Sequence, residues 1–244
     1  MRAIILAAGR GERMRPLTDH QPKPLLQVGG KPLIVWHIEA LAAAGVRDIV
    51  INIAWLAEQF PAQLGDGGRW GLRLHYSNEA RDHGGALETA GGIAKALPLL
   101  CADGDDGFWV VSADVHLPDF RASAARAEAF ARSDMLAHLW LVPNRPHKPD
   151  GDFGIDAQGL ATSAASGASG PRYTWSCVGL FRRALFEGVS VGQHAALRPC
   201  LEKGIAARRI SAELYTQAWE DVGTPERLAS LNAATTDLPG AAKR

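Results

Sequence analysis

Cysteine is scarce in this 244-residue chain: Cys101, Cys177 and Cys200 are widely spaced and odd in number. No CxxC pair or Cys/His cluster occurs, which excludes a disulfide framework and a structural zinc site. Net charge is absent too, with 26 Lys+Arg balanced by 26 Asp+Glu. That balance argues against a duplex DNA binder with a strongly basic surface, but leaves room for a local anion pocket. No apolar run reaches the roughly 18 residues of a membrane span. The apolar run from Met1 to Gly9 is too short for a secretory signal. Internal repeats are missing as well. A reduced, cytoplasmic, soluble protein without nucleic-acid or membrane partners is expected.

Hydrophobic residues make up 47% of the chain, enough for one sizeable core. The length suits a single domain, read as residues 1–236 with a C-terminal tail at 237–244. The apolar run Ala3 to Ala8 reads as a strand buried on both faces. Pro32 to Ala44 carries Ile34, Ile38 and Leu41 at helical spacing, and Gly45 stops it. Further strands are expected at 48–53, 72–76, 108–112, 135–142 and 177–181. Helices are expected at 55–64, 92–99 and 225–234. Strands alternating with helices imply an α/β fold around a mostly parallel sheet. The small-residue segment 162–171 reads as a mobile loop.

The loop after the first strand carries the most chemistry: Leu6-Ala-Ala-Gly-Arg-Gly-Glu-Arg-Met-Arg-Pro-Leu-Thr18, then Pro22-Lys-Pro-Leu25. Ala7, Ala8, Gly9 and Gly11 let backbone N–H groups approach a ligand, and successive N–H groups form an anion nest. Arg10, Arg13, Arg15 and Lys23 add four cations to the same region. A phosphate-rich ligand explains both features. The dinucleotide fingerprint fails because Met14 stands where its third glycine belongs, and the P-loop fails because Pro32 follows Gly30-Lys31.

These residues resemble the signature of the sugar-1-phosphate nucleotidylyltransferases, L-A-A-G-x-G-x-R-[ML]-x-P-L-T followed by P-K-P. The resemblance implies a Rossmann-like three-layer nucleotidyltransferase fold. It also implies transfer of a nucleotidyl group from a nucleoside triphosphate to a sugar-1-phosphate, with release of pyrophosphate. By resemblance Leu6, Ala7, Ala8, Gly9, Gly11, Glu12, Arg13 and Lys23 bind the nucleotide. Glu88, Gly91 and Gly92 of Glu88-Thr-Ala-Gly-Gly-Ile93 join them, the glycines giving a flat base close access to the backbone. Arg13, Lys23, Asp114 and Asp221 are the implied catalytic residues, and Asp114 and Asp221 the implied Mg²⁺ ligands. Asp221 falls in Trp219-Glu-Asp-Val-Gly-Thr-Pro-Glu-Arg-Leu228, which matches the family's W-x-D-V-G-T-P-E-R-L.

The same segments are similar to the bacterial N-acetylmuramate-1-phosphate uridylyltransferases, which implies UTP and a role in peptidoglycan recycling. Mannose-1-phosphate guanylyltransferases share the first loop but generally extend further. A non-catalytic nucleotide- or sugar-binding homologue is the remaining alternative. Ser112-Ala113-Asp114 replaces the family's Asn-Gly-Asp, so a shorter hydroxyl is expected to meet a different sugar or bind it more loosely, and Ala113 adds a methyl where close backbone approach was free. Ser112, Asp152, Arg172 and Trp175 are the candidate sugar-binding residues. Arg172 is expected to supply the cation that other branches carry in Glu-Lys-Pro. A monomer or homodimer is expected.

Overall fold

Seven strands make the central sheet of the computed structural model, which describes residues 1–167 and 170–236. They are β1 (Arg2–Leu6), β2 (Asp48–Ile53), β3 (Arg73–Asn78), β4 (Gly107–Ser112), β5 (Ala137–Val142), β6 (Thr174–Arg182) and β7 (Ile210–Leu214). Their order across the sheet is β7-β5-β6-β4-β1-β2-β3. Neighbours run parallel except β6, which is antiparallel to both β4 and β5. The helices are α1 (Leu33–Ala43), α2 (Gln59–Leu64), α3 (Glu79–His83), α4 (Glu88–Leu100), α5 (Ala124–Arg132), α6 (Arg198–Ala206) and α7 (Pro225–Thr236).

Strand periodicity builds the three layers, because successive side chains leave opposite faces of the sheet. Ile5, Ile49 and Trp109 pack with Ile34 and Ile38 of α1, Phe60 of α2 and Phe130 of α5. Ile4, Val50 and Val110 pack instead with Ile93 and Ala96 of α4 and Leu201 of α6. Both faces are covered, so the strands read as continuous apolar runs rather than alternating ones.

Several boundaries differ from those the sequence suggests. The first strand ends at Leu6, and the turn beyond it is held by the buried Asn52 side chain, whose Oδ1 accepts from Ala7 N at 2.8 Å. The helix expected from Trp55 begins at Gln59; Trp55 instead lies in a turn and donates from Nε1 to Thr18 O at 3.0 Å. The helix expected from Gly92 begins already at Glu88. The strand around Cys177 is longer, running Thr174–Arg182 with a register shift between Trp175 and Gly179. Part of the low-complexity loop forms a helical turn, Ala164–Ser166, while residues 168–169 lie outside the described residues, as does the expected tail 237–244. The three cysteines are free, and no described helix is long and apolar enough to cross a membrane.

Candidate active site

Leu6 at the end of β1 lies in register with Ser112 at the end of β4. Strand order reverses between these two strands, and open α/β sheets leave a crevice at the carboxyl ends of such a pair. A cleft of about 400 Å³ occupies this position. Leu6, Ala7, Ala8, Gly9, Gly11, Glu12, Arg13 and Lys23 line it, together with Glu88, Ser112 and Asp114. Gly11 is required by its geometry: its φ is +68°, and a Cβ there would stand 3.2 Å from Thr18 Cγ2 and 3.3 Å from Lys23 Cβ.

The four loop cations separate into two pairs. Arg10 lies over the Trp55 ring at 3.7 Å and donates to Thr18 O and to Asp19 Oδ1. Arg15 also pairs with Asp19, at 3.2 Å. Arg13 and Lys23 face the cleft instead. Among the described residues the Arg13 guanidinium makes no ion pair, whereas Lys23 Nζ donates to Asp114 Oδ2 at 3.0 Å. Lys23 sits in a tight turn (Lys23–Leu25) between its two prolines and is buried. Pro22 and Pro24 limit the backbone there and aim the ammonium at β4.

Asp114 keeps 43% of its side chain exposed toward the cleft. Desolvation by the surrounding protein works to raise its pKa. The Lys23 charge and hydrogen bond, with a further bond from Ser112, outweigh that and hold the carboxyl below its ordinary value. The following residue, Val115, is fixed from the helix layer: His37 Nε2 lies 2.8 Å from Val115 O. Burial lowers the His37 pKa to about 4, so the ring is neutral near pH 7 and donates from Nε2. The histidine on the apolar face of α1 is thus structural.

A two-residue strand, Glu220–Asp221, pairs antiparallel with Val115–His116, and Val222 N donates to Asp114 O at 2.9 Å. Two carboxylates far apart in sequence therefore stand on adjoining backbone segments. Asp221 Oδ2 accepts from Arg227 Nη1 at 2.6 Å. Its Oδ1 is buried and accepts no hydrogen bond; His147 Nε2 stands 3.0 Å away without hydrogen-bond geometry. Among the described residues no group of three or more His, Cys, Asp and Glu side chains is arranged for a metal. Mg²⁺ needs only one or two carboxylates when phosphate and water oxygens complete its shell. Asp114 lines the cleft and Asp221 does not, but Asp221 stands on the strand paired beside it with Oδ1 free of hydrogen bonds, so the two carboxylates fit that demand.

Other expected site residues stand elsewhere. Gly91 and Gly92 do not line the cleft; they are buried within α4, where a Cβ at Gly91 would meet Gln193 O at 2.1 Å. Ala113 places its methyl in the core, fully buried, and not in the cleft. Asp152, Arg172 and Trp175 also lie off the cleft wall. Asp152 Oδ2 accepts from Trp175 N at 2.9 Å and from Lys148 Nζ at 2.6 Å, tying β6 to the preceding loop. Trp175 stacks on Phe181 and donates from Nε1 to Val178 O. Arg172 is half-buried, and its guanidinium has no partner among the described residues.

Asn52, Thr89 and His194 line the cleft without having been singled out from sequence. Asn52 carried a usable signal, a lone amide inside the apolar strand Asp48–Ile53. His194 lies in an irregular segment, and nothing in its neighbourhood of the sequence marks it.

Residues 2–165 match the profile of the nucleotidyl transferase family. The chain belongs to that family. An N-acetylmuramate alpha-1-phosphate uridylyltransferase of Neisseria meningitidis serogroup B is 48% identical to this nucleotidyltransferase over 96% of this chain and 97% of that one. A glucose-1-phosphate thymidylyltransferase of an Actinoplanes species is 32% identical, covering 82% of this chain and 62% of the relative. A Bacillus anthracis protein assigned as a glucose-1-phosphate thymidylyltransferase and crystallised with sucrose superposes with a TM-score of 0.76. It covers 98% of this chain and 96% of its own at 23% identity, and it bears on the fold alone. The protein is thus an enzyme of the sugar-1-phosphate nucleotidylyltransferase kind, with a nucleoside triphosphate and a sugar-1-phosphate as the family's substrates.

Proposed function

We propose that this enzyme transfers a uridylyl group from UTP to N-acetylmuramate-1-phosphate, giving the UDP-sugar and pyrophosphate, as a step of peptidoglycan recycling. The observation that carries this reading is the 48% identity, across nearly all of both chains, to a relative bearing that activity in its name. A sugar-phosphate oxygen attacks the α-phosphorus of UTP as the bond to pyrophosphate breaks. Both reactants are anionic, so the residues must screen repulsion and stabilise the departing charge.

In this reading the backbone from Ala8 to Gly11 and the Arg13 guanidinium hold the triphosphate. Lys23 places its ammonium at the reacting phosphate, with Asp114 fixing its direction. Asp114 and Asp221 would hold Mg²⁺, which would supply positive charge to the phosphate oxygens. Ser112 meets the sugar, and Asp152, Arg172 and Trp175 shape the sugar end of the site. The test is to incubate the purified chain with each radiolabelled triphosphate and with N-acetylmuramate-1-phosphate or mannose-1-phosphate. UDP-N-acetylmuramate from UTP is the expected product. Its absence, or formation of GDP-mannose instead, would overturn the assignment.

A further inference from the structure

Two polar side chains are buried beneath the cleft, and they bond to each other. Asn52 of β2 is 3% exposed and Glu79, the first residue of α3, is fully buried. Asn52 Oδ1 accepts from Ala7 N at 2.8 Å. Asn52 Nδ2 donates to Glu79 Oε1 at 2.7 Å, and Glu79 Oε2 accepts from Leu87 N at 2.7 Å. Every atom of this chain is matched donor to acceptor. Leu87 O in turn accepts from Ala195 N at 3.0 Å, so the peptide groups on both sides of Leu87 are tied.

The ends of the chain lie in two walls of the cleft. Ala7 begins the first loop. Leu87 immediately precedes Glu88, a cleft-lining residue held at φ +62°. A non-glycine residue in that region persists only where its surroundings over-determine it. The packing is also shaped to admit the pair: a Cβ at Gly92 would stand 2.4 Å from Glu79 Oε1 and 2.7 Å from Asn52 Nδ2. Gly92 therefore serves the buried pair and not a base at the surface. Both Glu79 oxygens accept from N–H donors, which favours the ionised carboxylate, while burial opposes it more strongly and raises the Glu79 pKa above its ordinary value. A buried carboxylate that only bridges two backbone segments is an expensive way to stabilise a fold, since an apolar pair of similar size would avoid the desolvation.

We propose that Asn52 and Glu79 are positioning residues that lock the wall at Ala7 to the wall at Leu87–Glu88, and thereby set nucleotide affinity. The proposal rests on the cleft being the nucleotide site. Neither side chain needs to touch the reacting phosphates; each acts through the backbone amide it holds.

The geometry makes a rescue possible. Glu79→Gln alone turns one acceptor into a donor, and that amide must face either Leu87 N or Asn52 Nδ2. Asn52→Asp alone sets a second carboxylate against Glu79. With both substitutions together, the new carboxylate at 52 accepts from Ala7 N and from the new amide at 79, whose oxygen accepts from Leu87 N. All donors are again matched and the net charge is unchanged.

The full chain and its three variants should be compared by calorimetric titration with Mg²⁺·UTP and by steady-state kinetics. Amide hydrogen exchange without ligand should cover segments 5–10 and 85–90. Each single variant is expected to bind Mg²⁺·UTP about tenfold more weakly, the scale of one lost charged hydrogen bond, and the double variant to return to within about threefold. The KM for sugar-1-phosphate should move by less than about twofold, which separates positioning from general destabilisation. Exchange should quicken in both segments in the single variants and slow again in the double. Unchanged nucleotide affinity, an equal rise in both KM values, or a double variant no better than its parents would overturn the proposal. If the unmodified chain binds no nucleotide, the functional reading fails by itself. In that case the exchange pattern still decides whether the two walls are coupled through this pair.

Discussion

Lys23 Nζ stands 3.0 Å from Asp114 Oδ2, joining a loop after the first strand to the end of the fourth. The lysine is buried and the aspartate is open to the cleft, so the pair offers one shielded cation and one accessible carboxylate. Lys23→Ala should lower kcat/KM by about 100-fold or more and weaken triphosphate binding, because the proposed role gives Lys23 the preorganised charge at the reacting phosphate. Asp114→Asn should keep the fold, since its side chain is 43% exposed, yet remove most turnover by neutralising the carboxylate proposed to hold the metal. Pyrophosphate release measured on both variants checks this. Undiminished release from Asp114→Asn would show that the carboxylate has another role.

The glycines separate fold from function. Gly91→Ala places a methyl 2.1 Å from Gln193 O, and should cost about 1–3 kcal/mol in urea denaturation because backbone must move. A Cβ on Gly9 meets nothing within 4 Å, although the residue lines the cleft. Gly9→Ala should therefore change stability by less than about 0.5 kcal/mol while weakening nucleotide binding. If Gly9→Ala binds Mg²⁺·UTP like the unmodified chain, the backbone there does not approach phosphate.

Contiguous demands were the ones legible in the sequence. The first loop needs small residues and cations at neighbouring positions, so its chemistry reads directly from Leu6 to Pro24. Strand and helix alternation likewise exposed the three-layer α/β fold. Relationships across the fold were not legible. Four loop cations look equivalent as letters, yet Asp19 draws Arg10 and Arg15 away and leaves Arg13 and Lys23 at the cleft. Asn52 and Glu79 are ordinary polar residues until the sheet brings them to 2.7 Å. Gly91 and Gly92 could be read as access for a ligand or as room for neighbours, and only packing distinguishes the two.

Strong acid should loosen the opposite end of the second strand. Asp48 is buried and accepts from Arg73 at 2.7 and 2.8 Å and pairs with His75 at 2.8 Å. The Arg73 hydrogen bonds outweigh burial and, with His75, lower its pKa from 3.8 to about 2. A depressed folded-state pKa means that the stabilisation is complete above the unfolded value of 3.8 and is lost as pH falls through about 2. Asp48→Asn should flatten stability against pH across that window. It should leave kcat/KM at pH 7 unchanged, because Asp48 begins the strand whose far end reaches the cleft. Thermal unfolding between pH 5 and pH 2, compared for the two proteins, tests the prediction; parallel curves would refute it.

In the proposed reading Arg172 supplies the cation for the sugar phosphate, although it lies off the cleft wall. It is half-buried without a partner among the described residues, and its neighbour Tyr173 is held by reciprocal backbone bonds to Phe153 beside Asp152. A guanidinium without a partner among the described residues is suited to a phosphorylated sugar, since Arg recognises phosphate oxygens in pairs. Arg172→Ala should raise the KM for sugar-1-phosphate by about tenfold and leave that for UTP within about twofold. Arg172→Lys should recover part of the loss, because the charge returns without the forked geometry. A rise confined to the KM for UTP would move Arg172 to the nucleotide, and no change in either would remove it from the site.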